Sequence, residues 1–110
     1  MIIHKNTWTW GQTHTIVFKC GVGLVSVSIY NEEPDVAWIH GVSVIEDYRR
    51  QGIGTRILQL AEEEAVKMGA HTVKLSTLRE SFMEDWYKKS GYEVIGEEDD
   101  VMDILLKKLR

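Results

Sequence analysis

Apolar positions along the chain alternate in one half and repeat at helical spacing in the other. Val25, Val27 and Ile29 fall on one face of an extended segment, and Trp38, His40, Val42 and Val44 on one face of the next. Between them lies the polar turn Asn31-Glu32-Glu33-Pro34-Asp35, which holds the only proline. Residues 15–20 form another candidate strand, so the alternation predicts an antiparallel meander over residues 13–45. From Leu58 the period becomes helical. Leu58, Ala61, Ala65 and Met68 make one stripe, Gln59, Glu62, Glu63 and Lys67 lie elsewhere, and Gly69 is a natural stop. Residues 72–77 read as a short strand. Phe82, Met83, Trp86 and Tyr87 then form the apolar stripe of a second helix, with Glu84–Lys88 and Asp85–Lys89 as i,i+4 pairs and Gly91 at its end. Residues 92–95 and 101–109 read as a closing hairpin around the acidic turn 97–100. The predicted order is β-β-β-α-β-α-β-β, an α+β fold with two helices on a mixed sheet. Residues 1–8 are a possible extra N-terminal strand, joined by a tight turn near Gly11.

Composition narrows this picture without redirecting it. With 110 residues, the expectation is one domain, residues 1–110, with one modest core. The 44% hydrophobic and 27% charged content is ordinary for a globular protein, and no apolar run approaches a membrane span. The first ten residues lack a signal-peptide core. A single cysteine, Cys20, excludes an internal disulfide and a multi-cysteine metal site, and reads as structural. A cytoplasmic setting is therefore expected, with no metal. The formal net charge of −4, with no basic tract beyond Arg49-Arg50, argues against general nucleic-acid binding. Lys19 and Lys74 read as solvated surface.

The stretch Tyr48-Arg49-Arg50-Gln51-Gly52-Ile53-Gly54-Thr55 stands between a predicted strand and a predicted helix. A helix start has amide hydrogens with no intrahelical partner and carries the positive end of the macrodipole. Glycines there let a phosphate approach the backbone, although a plain flexible turn looks the same. There is no G-x-x-x-x-G-K-[ST], and the dinucleotide pattern G-x-G-x-x-G fails at Ile57.

A longer pattern does fit. Residues 44–54, from Val44 through Arg49 to Gly52 and Gly54, resemble the acyl-CoA signature V-x-x-x-x-[RQ]-x-x-G-x-[GA] of the GNAT N-acetyltransferases. Tyr87-Lys88-Lys89-Ser90-Gly91-Tyr92 is similar to that family's second motif, Y-x-x-x-G-[FY]. The resemblance covers residues 13–109 and implies a GNAT-like acyl-CoA N-acyltransferase fold with acetyl-CoA as co-substrate. It implies that Arg49, Arg50, Gln51, Gly52, Ile53, Gly54 and Thr55 hold the pyrophosphate. Val42, Ser43 and Val44 would offer backbone to the pantetheine arm, between two splayed strands, and the Val44 amide would stabilise the oxyanion. The acceptor would be an amine on a small molecule or a peptide.

Tyr87 matches the family tyrosine that protonates the departing thiolate; its helical spacing equally suits a packing aromatic. His40 is the candidate base. Family members similar to serotonin N-acetyltransferase carry a histidine there, and an imidazole titrates near neutrality. It is equally a histidine packed beside Trp38. Glu33 and Glu46 are more distant candidates.

Two departures from the family stand out. Too few residues precede the first certain strand for the usual N-terminal helix pair. The acceptor side is then open or covered by a second copy, with Trp8 and Trp10 as candidate contacts of a homodimer. Glu80 stands where asparagine is frequent, and Met83 where alanine is usual. The alternative reading is a non-catalytic acyl-CoA sensor of the same fold. A third is an unrelated α+β interaction domain that binds protein through its tryptophans.

Overall fold

The computed structural model describes residues 4–10, 13–20, 23–44 and 52–109. Seven strands form one sheet in the order β1-β2-β3-β4-β5-β7-β6. They are β1 (His4–Trp10), β2 (Thr13–Cys20), β3 (Gly23–Tyr30), β4 (Val36–Val44), β5 (Thr72–Leu78), β6 (Glu93–Glu97) and β7 (Met102–Lys108). Helix α1 (Ile53–Lys67) joins β4 to β5, and α2 (Phe82–Lys89) joins β5 to β6. Every pairing is antiparallel except β4 with β5. This is the expected mixed sheet, and the extra N-terminal strand is present over His4–Trp10.

Both helices pack on the same face. Ile57, Leu58, Ala61 and Ala65 of α1 are buried against Ile16, Val25, Val27, Ile29, Ala37 and Ile39. Tyr87 of α2 joins the same cluster, with Val73, Leu75 and Leu105 beneath it. Complete burial of side chains such as Val25, Val27, Leu75 and Leu105 contributes about 1.5–3 kcal/mol each, so this layer fixes the helices to the sheet. Lys5 of β1 reaches Glu64 of α1 at 2.7 Å, and Tyr92 donates to Glu62 at 2.8 Å. Lys107 meets the same Glu62 carboxylate at 2.9 Å.

The opposite face carries no helix among the described residues. Registers place Trp8, Thr15, Ser28, Trp38 and Lys74 in one row across that face. The Thr15 and Ser28 hydroxyls hydrogen-bond at 2.7 Å, which satisfies the buried Ser28. Trp8, in contrast, is 53% exposed.

Three expectations need correction. Trp38, His40, Val42 and Val44 do not share a face. The β3–β4 register shifts between Ser26 and Val27, leaving His40 as an extra residue, and Gly41 takes φ 141° beside it. The bulge turns the strand over, so Val42 pairs with the buried Val25 on the helix side while Trp38 pairs with Ser28 on the other. The α2 stripe also differs. Phe82 is 69% exposed, and Glu84 is buried beside Tyr87 instead. Lys74 is not free surface, because its ammonium lies 5.8 Å from the centre of the Trp38 ring.

Candidate active site

The parallel ladder between β4 and β5 is short. It runs from Val36–Thr72 to Ile39–Leu75 and stops. Beyond it β4 continues on β3 as far as Val44–Gly23, and β5 continues on β7 as far as Leu78–Met102. The two strands therefore part from His40 and Ser76 onward. The bulge at His40 helps to cause this, since a bulge bends its strand and strengthens local twist. The result is a gap in the sheet, bordered by backbone that a peptide-like chain can pair with.

Helix α1 begins beside that gap. Gly52 is its N-cap, in the left-handed region at φ 78°, and no side chain caps it. The first turn holds no acidic residue. The first intrahelical bond runs from Arg56 N–H to the Gly52 carbonyl, so the preceding amides are left for another acceptor. A Cβ added at Gly52 would meet nothing within 4 Å among the described residues. At Gly54 a Cβ would meet Trp86 at 3.5 Å and Val44 at 3.6 Å, ordinary contact that alanine could fill. Thr55 is exposed on the first turn and Ile53 half-buried. These features suit an anion that approaches the backbone closely. Arg49, Arg50, Gln51 and Glu46 lie outside the described residues, as do the side chains of Trp10, Lys19 and Cys20.

Tyr87 reaches the gap from the helix side. Its ring is 97% buried, edge-on to Trp86 with centroids 5.1 Å apart and to Tyr92 at 5.6 Å. Burial pushes its phenol above the ordinary value, and a backbone hydrogen bond from Val42 acts the other way. Tyr87 is thus a protonated phenol at neutral pH, held against the strand expected to receive pantetheine. The two sequence-level roles, packing and proton donation, are compatible in this position.

His40 lies on the other side. With Tyr30, Trp38, Ile39, Ser76 and Glu98 it lines a pocket of about 340 Å³. Partial burial lowers the imidazole pKa, although part of the ring remains in solvent. The Trp38 indole N–H donates to Glu33 at 3.4 Å. Glu33 therefore stands behind the tryptophan rather than beside the gap.

The structure brings Tyr87, His40, Val42, Ser43, Val44, Gly52, Ile53, Gly54 and Thr55 to the gap and the adjoining helix start. Glu80 is exposed at φ 59°, and its backbone N–H donates to Glu84 at 3.3 Å. Its carboxylate is turned to solvent. Sequence reasoning missed Tyr30, Ser76 and Glu98. They come from three separate segments, and no spacing along the chain links them. No cluster of metal-ligating side chains occurs among the described residues. No helix there is long and apolar enough to cross a membrane.

Comparison with known proteins agrees with the architecture. The family model for the acetyltransferase (GNAT) family matches residues 6–95. Among solved structures, a GNAT family acetyltransferase from Elizabethkingia anophelis with acetyl-CoA bound superposes with a TM-score of 0.71 at 15% identity, covering 96% of this chain and 97% of that one. Nourseothricin acetyltransferase gives 0.75 at 18% identity over 91% of this chain and 67% of its own. A PaiA N-acetyltransferase from Thermoplasma acidophilum, in complex with coenzyme A, gives 0.73 at 21% over 88% and 61%. No curated protein matches the sequence.

Proposed function

The chain belongs to the GNAT acetyltransferase family, and from that premise we propose that it transfers an acetyl group from acetyl-CoA to the amine of a small molecule or peptide. The observation that carries this reading is the uncapped start of α1, open at Gly52 and set beside the gap between β4 and β5. Backbone amides from Gly52 to Thr55 bind the pyrophosphate, with Arg49, Arg50 and Gln51 preceding them. Val42, Ser43 and Val44 offer backbone to the pantetheine arm, and the Val44 amide supports the developing oxyanion. The acetyl group comes from the bound thioester. His40 takes a proton from the acceptor ammonium, and Tyr87 gives one to the departing thiolate. The setting is the cytoplasm, with residues 1–110 acting as one domain.

Two faces of the sheet thus serve two substrates. The helix side supplies the phosphate cradle and the acid, whereas the pocket at His40 lies on the face without helices. Calorimetry with acetyl-CoA, followed by an assay of amine-dependent thiol release, tests the reading. Absence of acetyl-CoA binding at millimolar concentration overturns it. Binding without release for any amine favours a non-catalytic acyl-CoA sensor.

The acid side of the pH profile is expected to report His40. Burial disfavours the imidazolium, so the pKa falls and the basic form persists to lower pH. Activity should therefore decline only as pH drops through a value below 6.5, the ordinary histidine value. His40→Gln should lose that inflection. An inflection above 6.5, or one unchanged in the variant, removes His40 as the base.

We also propose that a second copy covers the helix-free face around Trp8. Sedimentation should show a dimer at micromolar concentration, weakened by Trp8→Glu. A monomer at high micromolar concentration counts against it.

A further inference from the structure

The pocket on the helix-free face is one-sided in charge. Among the described residues, Glu98 is the only carboxylate in its wall, beside Tyr30, Trp38, Ile39, Ser76 and His40. A second carboxylate, Glu33, stands behind Trp38 and accepts its indole N–H. Two cations lie outside the wall. Lys74 lies over the Trp38 ring. Arg79 donates to Asp103 at 2.8 Å and to the carbonyls of Asp100 and Asp99, at the turn that carries Glu98. Glu98 itself is fixed from the backbone, where its N–H donates to the Met102 carbonyl at 2.9 Å. An entering ammonium meets the Glu98 carboxylate and the aromatic residue Tyr30, where cation–π attraction adds to the ion pair; the Trp38 ring already carries Lys74. An entering carboxylate meets Glu98, and no Lys or Arg stands in the wall among the described residues.

We infer that the acceptor is a small cationic amine carrying no acidic group, and that Glu98 is the residue that selects it. The inference rests on the acyl-transfer reading and narrows it. Selection works by repulsion as much as attraction, because an α-amino acid brings its own carboxylate towards Glu98. The volume of about 340 Å³ suits a compact molecule and falls at the small end for ligand sites. His40, uncharged near neutral pH, does not oppose the ammonium.

Tyramine and tyrosine form the diagnostic pair, since they share a body and an amine and differ by the carboxylate. Binding to the full chain is measured by calorimetry, with and without saturating acetyl-CoA, and turnover by thiol release. Tyramine is expected to bind roughly 10-fold more tightly than tyrosine, a difference of about 1.4 kcal/mol. Glu98→Gln should shrink that preference several-fold, both by weakening tyramine binding and by relieving the repulsion of tyrosine, with a larger effect on KM than on kcat. Equal binding of the two compounds, no binding of tyramine, or an unchanged preference in Glu98→Gln overturns the inference. Acetyl-CoA titration of the same samples keeps the readings apart. Amine selectivity without acetyl-CoA binding would sustain the pocket and remove the transferase. Acetyl-CoA binding without amine selectivity would do the reverse.

Discussion

Gly52→Glu is expected to abolish acetyl-CoA binding, with a loss of roughly 100-fold or more. Two effects combine. The variant places a side chain over the α1 start, where a Cβ meets nothing within 4 Å among the described residues. It also sets a negative charge where the pyrophosphate needs unopposed amides and the positive end of the helix dipole. Backbone strain is a third effect that must be separated. At φ 78° any residue but glycine costs about 1–2 kcal/mol. Gly52→Ala carries that strain without the charge, so it should lower the thermal midpoint while retaining most of the affinity. Gly54→Ala, with ordinary contacts to Trp86 and Val44, should fold and bind as wild type. Calorimetry on the three variants decides the matter. Equal affinity of Gly52→Glu and wild type would place the phosphates elsewhere.

The elements were legible where one segment determines its own structure. Alternation at Val25, Val27 and Ile29 needs only the strand itself, and the Leu58–Ala61–Ala65 stripe needs only the helix. The bulge at His40 was not legible, because it arises from the register of β4 on β3. That single residue moved Val42 and Val44 to the helix side and left Trp38 on the other. Phe82 and Glu84 exchanged expected places for a similar reason. One oxygen of the buried Glu84 carboxylate meets Lys88 at 3.4 Å and accepts from the Glu80 backbone, contacts on which hydrophobic spacing is silent. The α1 start was readable because its chemistry lies in consecutive residues. The pocket was not, since Tyr30, Ser76 and Glu98 meet only through the sheet order.

The gap itself follows from topology. β4 and β5 form the one parallel pair, and their connection through α1 leaves each strand held mainly by its antiparallel neighbour. Past Ile39 and Leu75, twist separates them and nothing in the ladder opposes it. Tyr87 meets β4 in that gap, on Val42.

Tyr87→Phe is expected to reduce turnover by roughly 100-fold, the lower end for general acid catalysis. The ring should keep its contacts with Trp86 and Tyr92, so the fold should survive. Losing the hydrogen bond with Val42 should cost about 1 kcal/mol of stability. Acetyl-CoA affinity should change little, since the phenol proton matters in the transition state and not in the ground state. The raised phenol pKa fits the assignment, because the group stays protonated across the working range and is ready to donate. The leaving thiol has a pKa near 8.5 by analogy with cysteine, so a thiolate can also leave unaided, which limits the size of the effect. Its pH dependence is therefore informative. Below that thiol value proton delivery helps and the variant should lag most; above it the two rates should converge. Single-turnover measurements with an identified amine supply the test. Equal rates at neutral pH, with chemistry rate-limiting, would leave Tyr87 as a packing residue whose hydroxyl only braces Val42.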